Sequence, residues 1–258
     1  MSKRIRSAAF DFDDLVYGIH AVDETLRAGE ALREIHVNAA RRGDPALRGM
    51  LAVANERKVP VTLQPRAFFD RLPFKAHQGV VAVTPPFPYV ALQELLTQEA
   101  RGHRTFVVLD HLTDPHNVGA IARTAEATGA TGIILPERRA AGINATVRKS
   151  AAGATAYLPI ARVGSLAGAL RSLKEAGIWV VGADASEAAI ELDKADLNRE
   201  LAIVIGAEGQ GLGPLIKREC DYLVRIPMRG RVASLNASVA AAVLLYETLR
   251  QRECSFRP

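Results

Sequence analysis

The sequence predicts an α/β protein of two units, because short apolar runs rich in Val and Ile alternate with helical patterns along the chain. A proline-rich stretch at 85–91 separates two series of such elements and is typical of a semi-rigid linker. We therefore expect a flexible tail over 1–14, a small α/β domain over 15–84, the linker over 85–91 and a larger α/β domain over 92–258.

The smaller domain is predicted to alternate helices and strands, so its sheet is expected to be mostly parallel or mixed, with helical cover. In chain order its predicted elements are a helix ending at Ala28, a strand over 34–38, a helix over 46–57, a strand over 61–63, a helix over 67–72 and a strand over 79–83.

The larger domain repeats this alternation with more buried strands. Its predicted helices cover 92–99, 117–128, 144–152 and 166–176, with further helices after Gly213 and from Val239, and its predicted strands cover 105–109, 132–136, 157–160, 178–182, 201–205 and 223–227. Asp114 is placed to cap the helix that follows it, with Pro115 at the first helical position.

Composition excludes several classes of protein. Two cysteines rule out a disulfide framework, and six scattered histidines lack the spacing of metal ligands, so no metal site is expected. No apolar run approaches the ~18 residues that cross a bilayer and the N-terminus does not resemble a signal peptide, so we expect a cytoplasmic protein without a membrane partner. A net charge of +5 mildly favours a polyanionic partner, whereas 5% aromatic residues argue against base stacking as the main way of holding it.

Two of the predicted strands end in turns made of glycine and small polar residues. These turns contain Gly206, Glu208, Gly211, Ser234, Asn236 and Ser238. Ligands of open α/β sheets bind outside the carboxyl ends of strands, so the turns predict a small-molecule pocket.

The glycine-rich loop after residues 201–205 does not match the dinucleotide-binding pattern. It lacks G-x-G-x-x-G, the acidic residue expected about 20 residues later and a Walker lysine. Its glycines instead allow a ligand to lie against backbone N–H and C=O groups. Glu208 either caps local amides or faces the pocket.

Asn117 and Arg123 stand in a helix made largely of small residues. Such a helix is expected to pack tightly, and a buried arginine then needs a partner. Arg123 is therefore either an ion pair between two elements or a clamp on a phosphate or carboxylate. The two residues lie about 120° apart on an ideal helix, so they share a site only if Asn117 sits in a loosely wound first turn.

Ser234, Asn236 and Ser238 directly precede the last predicted helix. One of them is expected to cap that helix, since Ser and Asn are preferred N-caps. Three such residues exceed what capping needs, so at least one is expected to meet a ligand.

Taken in order, the segment 117–123, the loop 205–212 and the pair of segments 226–228 and 234–238 resemble the three motifs of the SpoU (TrmH) family of RNA ribose 2′-O-methyltransferases, of the SPOUT class. Residues 17–24 and 76–82 are similar to the family's L30e-like substrate-binding domain. The resemblance points to the bacterial branch that methylates a guanosine ribose in the peptidyl-transferase region of large-subunit (23S) rRNA.

The resemblance implies a trefoil-knotted C-terminal domain over 92–258, S-adenosylmethionine as cofactor, RNA rather than DNA as partner, and a homodimer with the site near the subunit interface. It implies polar site residues Asn117, Arg123, Glu208, Ser234 and Asn236. It implies a cofactor pocket lined by Gly206, Gly211, Ile226, Met228 and Leu235. The family makes Arg123 the group that activates the 2′-OH. Because a guanidinium stays protonated at physiological pH, a phosphate clamp suits Arg123 better than a base, and Glu208 is the rival base.

Three other functions compete with this one. The first is methylation of another rRNA nucleoside or of a tRNA guanosine, although the N-terminal domain disfavours the tRNA branch. A nicotinamide dehydrogenase is disfavoured by the missing ribose-binding acid. An RNA-binding protein without catalysis is disfavoured by the intact polar residues of the motifs, and cofactor binding would distinguish it.

Overall fold

The computed structural model describes residues 11–100, 102–207, 209–232 and 234–254. In chain order its elements are β1 Leu15–Tyr17, α1 Ile19–Arg27, β2 Glu34–Asn38, α2 Pro45–Glu56, β3 Val61–Gln64, α3 Arg66–Asp70, β4 Val80–Val83, α4 Leu92–Leu96, β5 Thr105–Asp110, α5 Pro115–Ala127, β6 Gly132–Pro136, α6 Ala145–Ala151, β7 Ile160–Val163, α7 Leu166–Glu175, β8 Trp179–Ala183, β9 Ile190–Glu191, β10 Leu201–Gly206, α8 Pro214–Glu219, β11 Tyr222–Arg225 and α9 Ala237–Cys254.

The chain divides into two compact units. The first contains the residues up to Pro88 together with Ile143–Tyr157, and the second contains Tyr89–Gly142 and the residues from Leu158 onward. An α/β protein of two units is what the alternating pattern predicts, and the mixed α/β architecture is confirmed.

The first unit is built on a four-stranded mixed sheet in the order β1-β4-β2-β3. Only the pairing of β2 with β3 is parallel among the ladders of this sheet that the structure describes. α1 and α2 bury Val22, Leu26, Leu47 and Met50 against β2 and β4. α2 begins where the sequence dictates, because Asp44 accepts from the Ala46 amide and Pro45 occupies the first turn.

The segment Ile143–Tyr157 packs with the first unit, although its place in the sequence predicts that it belongs to the larger domain. Its helix α6 contributes Arg148, which is 3% exposed and donates to the Glu30 carboxylate at 3.0 Å. Burial raises the pKa of Glu30, and the Arg148 guanidinium offsets part of this rise. Tyr157 donates through its hydroxyl to Glu24 at 3.1 Å. A pairing over 118 residues of sequence leaves no local pattern, so the sequence could not reveal it.

The second unit is built on a seven-stranded parallel sheet in the order β7-β6-β5-β10-β8-β11-β9. β5 and β10 lie at its centre and are buried along nearly their whole length, as continuous runs of Val and Ile require in a parallel sheet. α7 and α8 pack together, while α5 packs against α9. The strand order reverses next to β5, which is where such sheets leave a crevice at their carboxyl edge.

Several predicted elements differ from the observed ones. The strand predicted over 157–160 is wrong in position, because a 3-10 turn over Ala154–Ala156 delays the strand to Ile160–Val163. β1 and β9 were not predicted, since runs of three and two residues are too short to show a period. Of the predicted tail, residues 1–10 lie outside the described part, but Phe12–Asp14 forms a 3-10 turn in which the Asp14 carbonyl accepts from the Thr84 amide at 2.9 Å.

Among the described helices, none is long and apolar enough to cross a membrane. The cytoplasmic location stays a prediction.

Candidate functional site

A cavity of about 580 Å³ opens at the carboxyl ends of β8, β10 and β11. We refer to it as the first cavity. All five residues expected to line a cofactor pocket lie on its wall: Gly206, Gly211, Ile226, Met228 and Leu235. Ser234 lines it as well. Gly206 ends β10 and Ile226 directly follows β11, and these two strands flank β8, so the parallel sheet brings their carboxyl ends to one edge.

The wall between β10 and α8 is the loop over 206–211, and close backbone contact fixes its shape. The Gly211 amide donates to the Ala207 carbonyl at 2.8 Å. A Cβ on Gly206 would lie 2.3 Å from the Gly211 carbonyl carbon, so only glycine fits there. Gly209 and Gly211 adopt φ of +75° and +66°, the left-handed region that glycine enters without strain. Glu208 lies outside the described residues, so its role stays a prediction.

One end of the first cavity holds an ion pair that the sequence analysis missed. The Lys217 ammonium lies 2.5 Å from the carboxylate of Asp184, whose side chain is only 6% exposed. Burial alone would raise the pKa of Asp184, but Lys217 and Ser186 together hold it below its usual value. Asp184 directly follows β8, so the rule that selected the other turns also applied to it.

Two asparagines from different motifs meet beside this loop. The Asn236 side-chain amide donates to the Asn117 side-chain carbonyl at 3.0 Å, and Asn117 is buried. The Asn236 side-chain oxygen also accepts from the Ser238 amide at 2.9 Å. The prediction that one residue of this turn caps α9 is confirmed, and that residue is Asn236.

Arg123 does not join this group within one chain. It is exposed on α5, whereas Asn117 and Ala122 of the same helix are buried. The expectation that the arginine is buried is therefore wrong, since only one face of α5 packs. No carboxylate of the described residues pairs with Arg123, and Arg123 is not on the wall of the first cavity.

A second cavity, of about 540 Å³, lies on the other side of the 206–211 loop. The two cavities share Ala207, Gln210 and Gly211 as a common wall. The second cavity is lined by Asp110, His111, Leu112, Thr113, Asp114, Asn117, Arg139, Ala207, Gln210, Gly211, Leu212, Gly213 and Pro214. The site is thus a pair of adjoining cavities separated by one glycine-rich loop.

Comparison with known families matches both units. Residues 104–246 match the SpoU rRNA methylase family, and residues 15–90 match the RNA 2′-O ribose methyltransferase substrate-binding family.

Individual proteins agree with this match. YacO of Bacillus subtilis, named for the TrmH family of tRNA/rRNA methyltransferases, is 43% identical over 93% of this chain and 96% of its own. The SpoU methyltransferase AviRb of Streptomyces viridochromogenes, solved with S-adenosylmethionine, superposes with a TM-score of 0.77 at 27% identity, over 93% of this chain and 90% of its own. An S-adenosylmethionine-bound rRNA methyltransferase of Sinorhizobium meliloti gives 0.76 at 26% identity, over 92% and 87%.

S-adenosylmethionine is the cofactor of this family. The first cavity has the chemistry to receive it, with apolar walls from Ile205, Val224 and Ile226, backbone groups from the glycine loop and one carboxylate at Asp184. Such a mixture of apolar surface and few polar groups is typical of nucleoside-binding pockets. The chain belongs to the SpoU family of S-adenosylmethionine-dependent RNA methyltransferases.

Proposed function

We propose that this chain transfers a methyl group from S-adenosylmethionine to the ribose 2′-OH of a guanosine in large-subunit (23S) rRNA, in the peptidyl-transferase region. The main support is that the five residues of the second and third motifs line one cavity, directly beside a second cavity that reaches Asn117. The motifs and the first unit resemble the rRNA branch. Another rRNA nucleoside or a tRNA guanosine is the alternative, since the name of YacO includes both RNAs.

In this proposal the cofactor lies in the first cavity against Gly206, Gly211, Ile226, Met228 and Leu235. When bound, it supplies an electrophilic methyl group on a sulfonium. The chain's part is to orient the two reactants, and positioning of this kind is worth on the order of 7–11 kcal/mol at best. Ser234 lies on the wall of the first cavity, and Asn236 holds Asn117 at the edge of the second.

Removal of the 2′-OH proton needs a separate group. A guanidinium stays protonated at any physiological pH, so we propose that Arg123 binds the phosphate beside the target ribose and stabilises the developing alkoxide. The proton would then pass to that phosphate or to water, with Glu208 as the rival acceptor.

We further propose a homodimer, in which α9 meets a second copy of the chain. Ala241 and Leu244 pack inside the chain, yet Val239, Val243 and Tyr246 on another face of α9 are 47%, 36% and 54% exposed. A helix that is apolar on opposite faces is normally buried on both. Ala237 and Ala241 pack inward, so the exposed stripe is the better candidate for the contact.

A dimer would also explain how Arg123 can act at the site although it lies outside the first cavity of its own chain. This arginine is exposed on α5, and α5 packs against α9. A second copy that covers α9 would therefore lie near Arg123, so the arginine of one chain would serve the cavities of the other. The trefoil knot that the resemblance implies remains a prediction.

The test is incubation with methyl-labelled S-adenosylmethionine and unmodified 23S rRNA, followed by mapping of the labelled nucleoside. We expect 2′-O-methylguanosine at one site, lost in Arg123→Ala but kept in the control Arg218→Ala, which removes an exposed arginine of α8. Label on tRNA alone would show that the substrate is tRNA and not 23S rRNA. No methyl transfer to either RNA, together with no binding of the cofactor, would refute the proposal that the chain is a methyltransferase.

The dimer is tested by light scattering of the full chain. Val239→Asp combined with Tyr246→Asp is expected to give a monomer, whereas Leu215→Asp, at an apolar residue of α8 that is 51% exposed, is expected to leave a dimer. A wild-type chain that is monomeric at assay concentration would contradict this part of the proposal.

A further inference from the structure

We propose that Arg139 binds the phosphodiester that joins the target nucleotide to its neighbour, with the target nucleotide in the second cavity and the neighbour in a third. This inference rests on the proposed RNA substrate and adds a second contact, to a different phosphate of the strand from the one proposed for Arg123. It assigns a phosphate subsite to the turn that follows β6.

Three cavities of the second unit lie in a row. The third cavity, of about 370 Å³, shares Asp110, His111 and Arg139 with the second. The second in turn shares the 206–211 loop with the first. A ribose that receives a methyl group from the first cavity has to lie in the second, and the next nucleotide of the strand then enters the third. Arg139 stands at the junction of these two positions.

Arg139 is an uncompensated cation at this junction. It is exposed, and among the described residues no carboxylate pairs with it. The two carboxylates of the second cavity already have partners. Asp110 accepts from the Gly213 amide at 2.8 Å and contacts the His111 ring. Asp114 accepts from the His116 amide at 2.9 Å and caps α5. Neither carboxylate pairs with Arg139, so its guanidinium is left to bind a phosphate.

The backbone on the wall of the second cavity is strained at two residues. Arg139 and His111 both adopt φ of +58°, a left-handed conformation that is unfavourable for residues other than glycine. The Ala141 amide donates to the Leu112 carbonyl at 2.8 Å, which ties the two turns together. Two such residues on the wall of one cavity point to a site, because residues of this kind cluster where ligands bind.

The side chains at the junction offer both cations and an apolar surface. A guanidinium presents a planar fork of donors that fits two phosphate oxygens at once. Arg138 adds a second exposed cation on the wall of the third cavity, and Leu215 adds an apolar surface that is 51% exposed, on which a base can lie. The junction therefore suits a nucleotide strand better than a free anion.

The experiment compares Arg139→Ala, Arg139→Lys and the control Arg218→Ala. We expect Arg139→Ala to raise KM for a 23S rRNA transcript about tenfold or more, the effect of losing a hydrogen bond to a charged group. Cofactor affinity by calorimetry should not change. A plot of log affinity for the transcript against log salt should become less steep by about 0.7, because one phosphate contact to a single strand is lost. Arg139→Lys should recover part of the affinity, because it keeps the charge but loses the fork.

A fourth variant separates function from folding. Arg139→Gly relieves the left-handed backbone, so it should melt at a higher temperature than Arg139→Ala while losing RNA affinity equally. If the wild type methylates RNA and Arg139→Ala behaves like Arg218→Ala, the inference fails and the proposed function stands. If the wild type transfers no methyl group, the proposed function fails, and the salt slopes of the same variants still decide whether Arg139 contacts phosphate.

Discussion

Replacing Gly206 by alanine tests how the first cavity is built. The new Cβ would lie 2.3 Å from the Gly211 carbonyl carbon and 2.4 Å from its oxygen. Carbon atoms in contact are about 3.5–4.0 Å apart, so the loop has to withdraw by more than about 1 Å. Both partners are backbone, and no change of side-chain rotamer can relieve the clash.

The magnitude follows from two contributions. Overpacking of a well-packed site costs about 1–3 kcal/mol. Loss of the hydrogen bond from the Gly211 amide to the Ala207 carbonyl, 2.8 Å in the structure, costs about 1 kcal/mol more. If the loop must be restored to its original shape when S-adenosylmethionine binds, these roughly 2–4 kcal/mol raise the dissociation constant of the cofactor by about thirtyfold to several hundredfold.

The assay is isothermal calorimetry of S-adenosylmethionine binding, with circular dichroism to establish that the variant is folded. Gly209→Ala is the matched control in the same loop. Its added Cβ would meet no atom within 4 Å, and only the φ of +75° opposes the change, at about 1 kcal/mol. The control should therefore weaken binding by about fivefold at most. Binding by Gly206→Ala within a factor of three of wild type would refute the reasoning.

Three further predictions concern residues near the cavities. Asp184→Asn should lower the melting temperature at pH 7 because it leaves Lys217 without its partner. The pKa of Asp184 is lowered in the fold, so this stabilisation exists above its unfolded pKa of about 3.9 and is lost as the pH falls through the folded value. The melting temperatures of the wild type and the variant should therefore converge in acid. Asn236→Ala should destabilise the chain by about 1–2 kcal/mol in a urea titration, because it removes both the cap of α9 and the donor to Asn117. Asn236→Asp should keep the cap and lose only the donor, so it should cost less. Equal losses of unfolding free energy in the two variants would show that the cap does not contribute. Burial raises the pKa of Cys220 to about 12, so peptide mapping should find its thiol unmodified by iodoacetamide at pH 8 until the chain unfolds, and rapid labelling of the folded chain would contradict this.

The elements that local chemistry defines could be predicted from the sequence. α5 begins at Pro115 after Asp114, as the capping pattern predicts, and β2 and β6 cover the predicted residues. The turns beside the first cavity could be predicted to form a pocket because they follow strands of a parallel sheet, whose carboxyl ends meet at one edge. The lining by Gly206, Gly211, Ile226, Met228 and Leu235 was implied by the resemblance to the SpoU family.

What the sequence could not reveal depends on contacts distant along the chain. The neighbours of Arg123 are small, which predicted a tightly packed helix but not which of its faces is buried, and Arg123 lies on the exposed face of α5. Lys217 pairs with Asp184 across 33 residues, and Arg148 with Glu30 across 118. No period or turn signal encodes such partners, because they exist only once the sheet order is fixed.

The membership of α6 in the first unit has a consequence for dissection of the protein. The chain passes between the two units three times, after Pro88, after Gly142 and after Tyr157, so no single cut separates them. A fragment that begins within the linker 85–91 would retain Arg148 but lose Glu30, and a nearly buried guanidinium without its carboxylate is costly. The N-terminal residues are therefore not an exchangeable cassette, and a chimera with a relative's substrate-binding domain has to exchange Ile143–Tyr157 along with it.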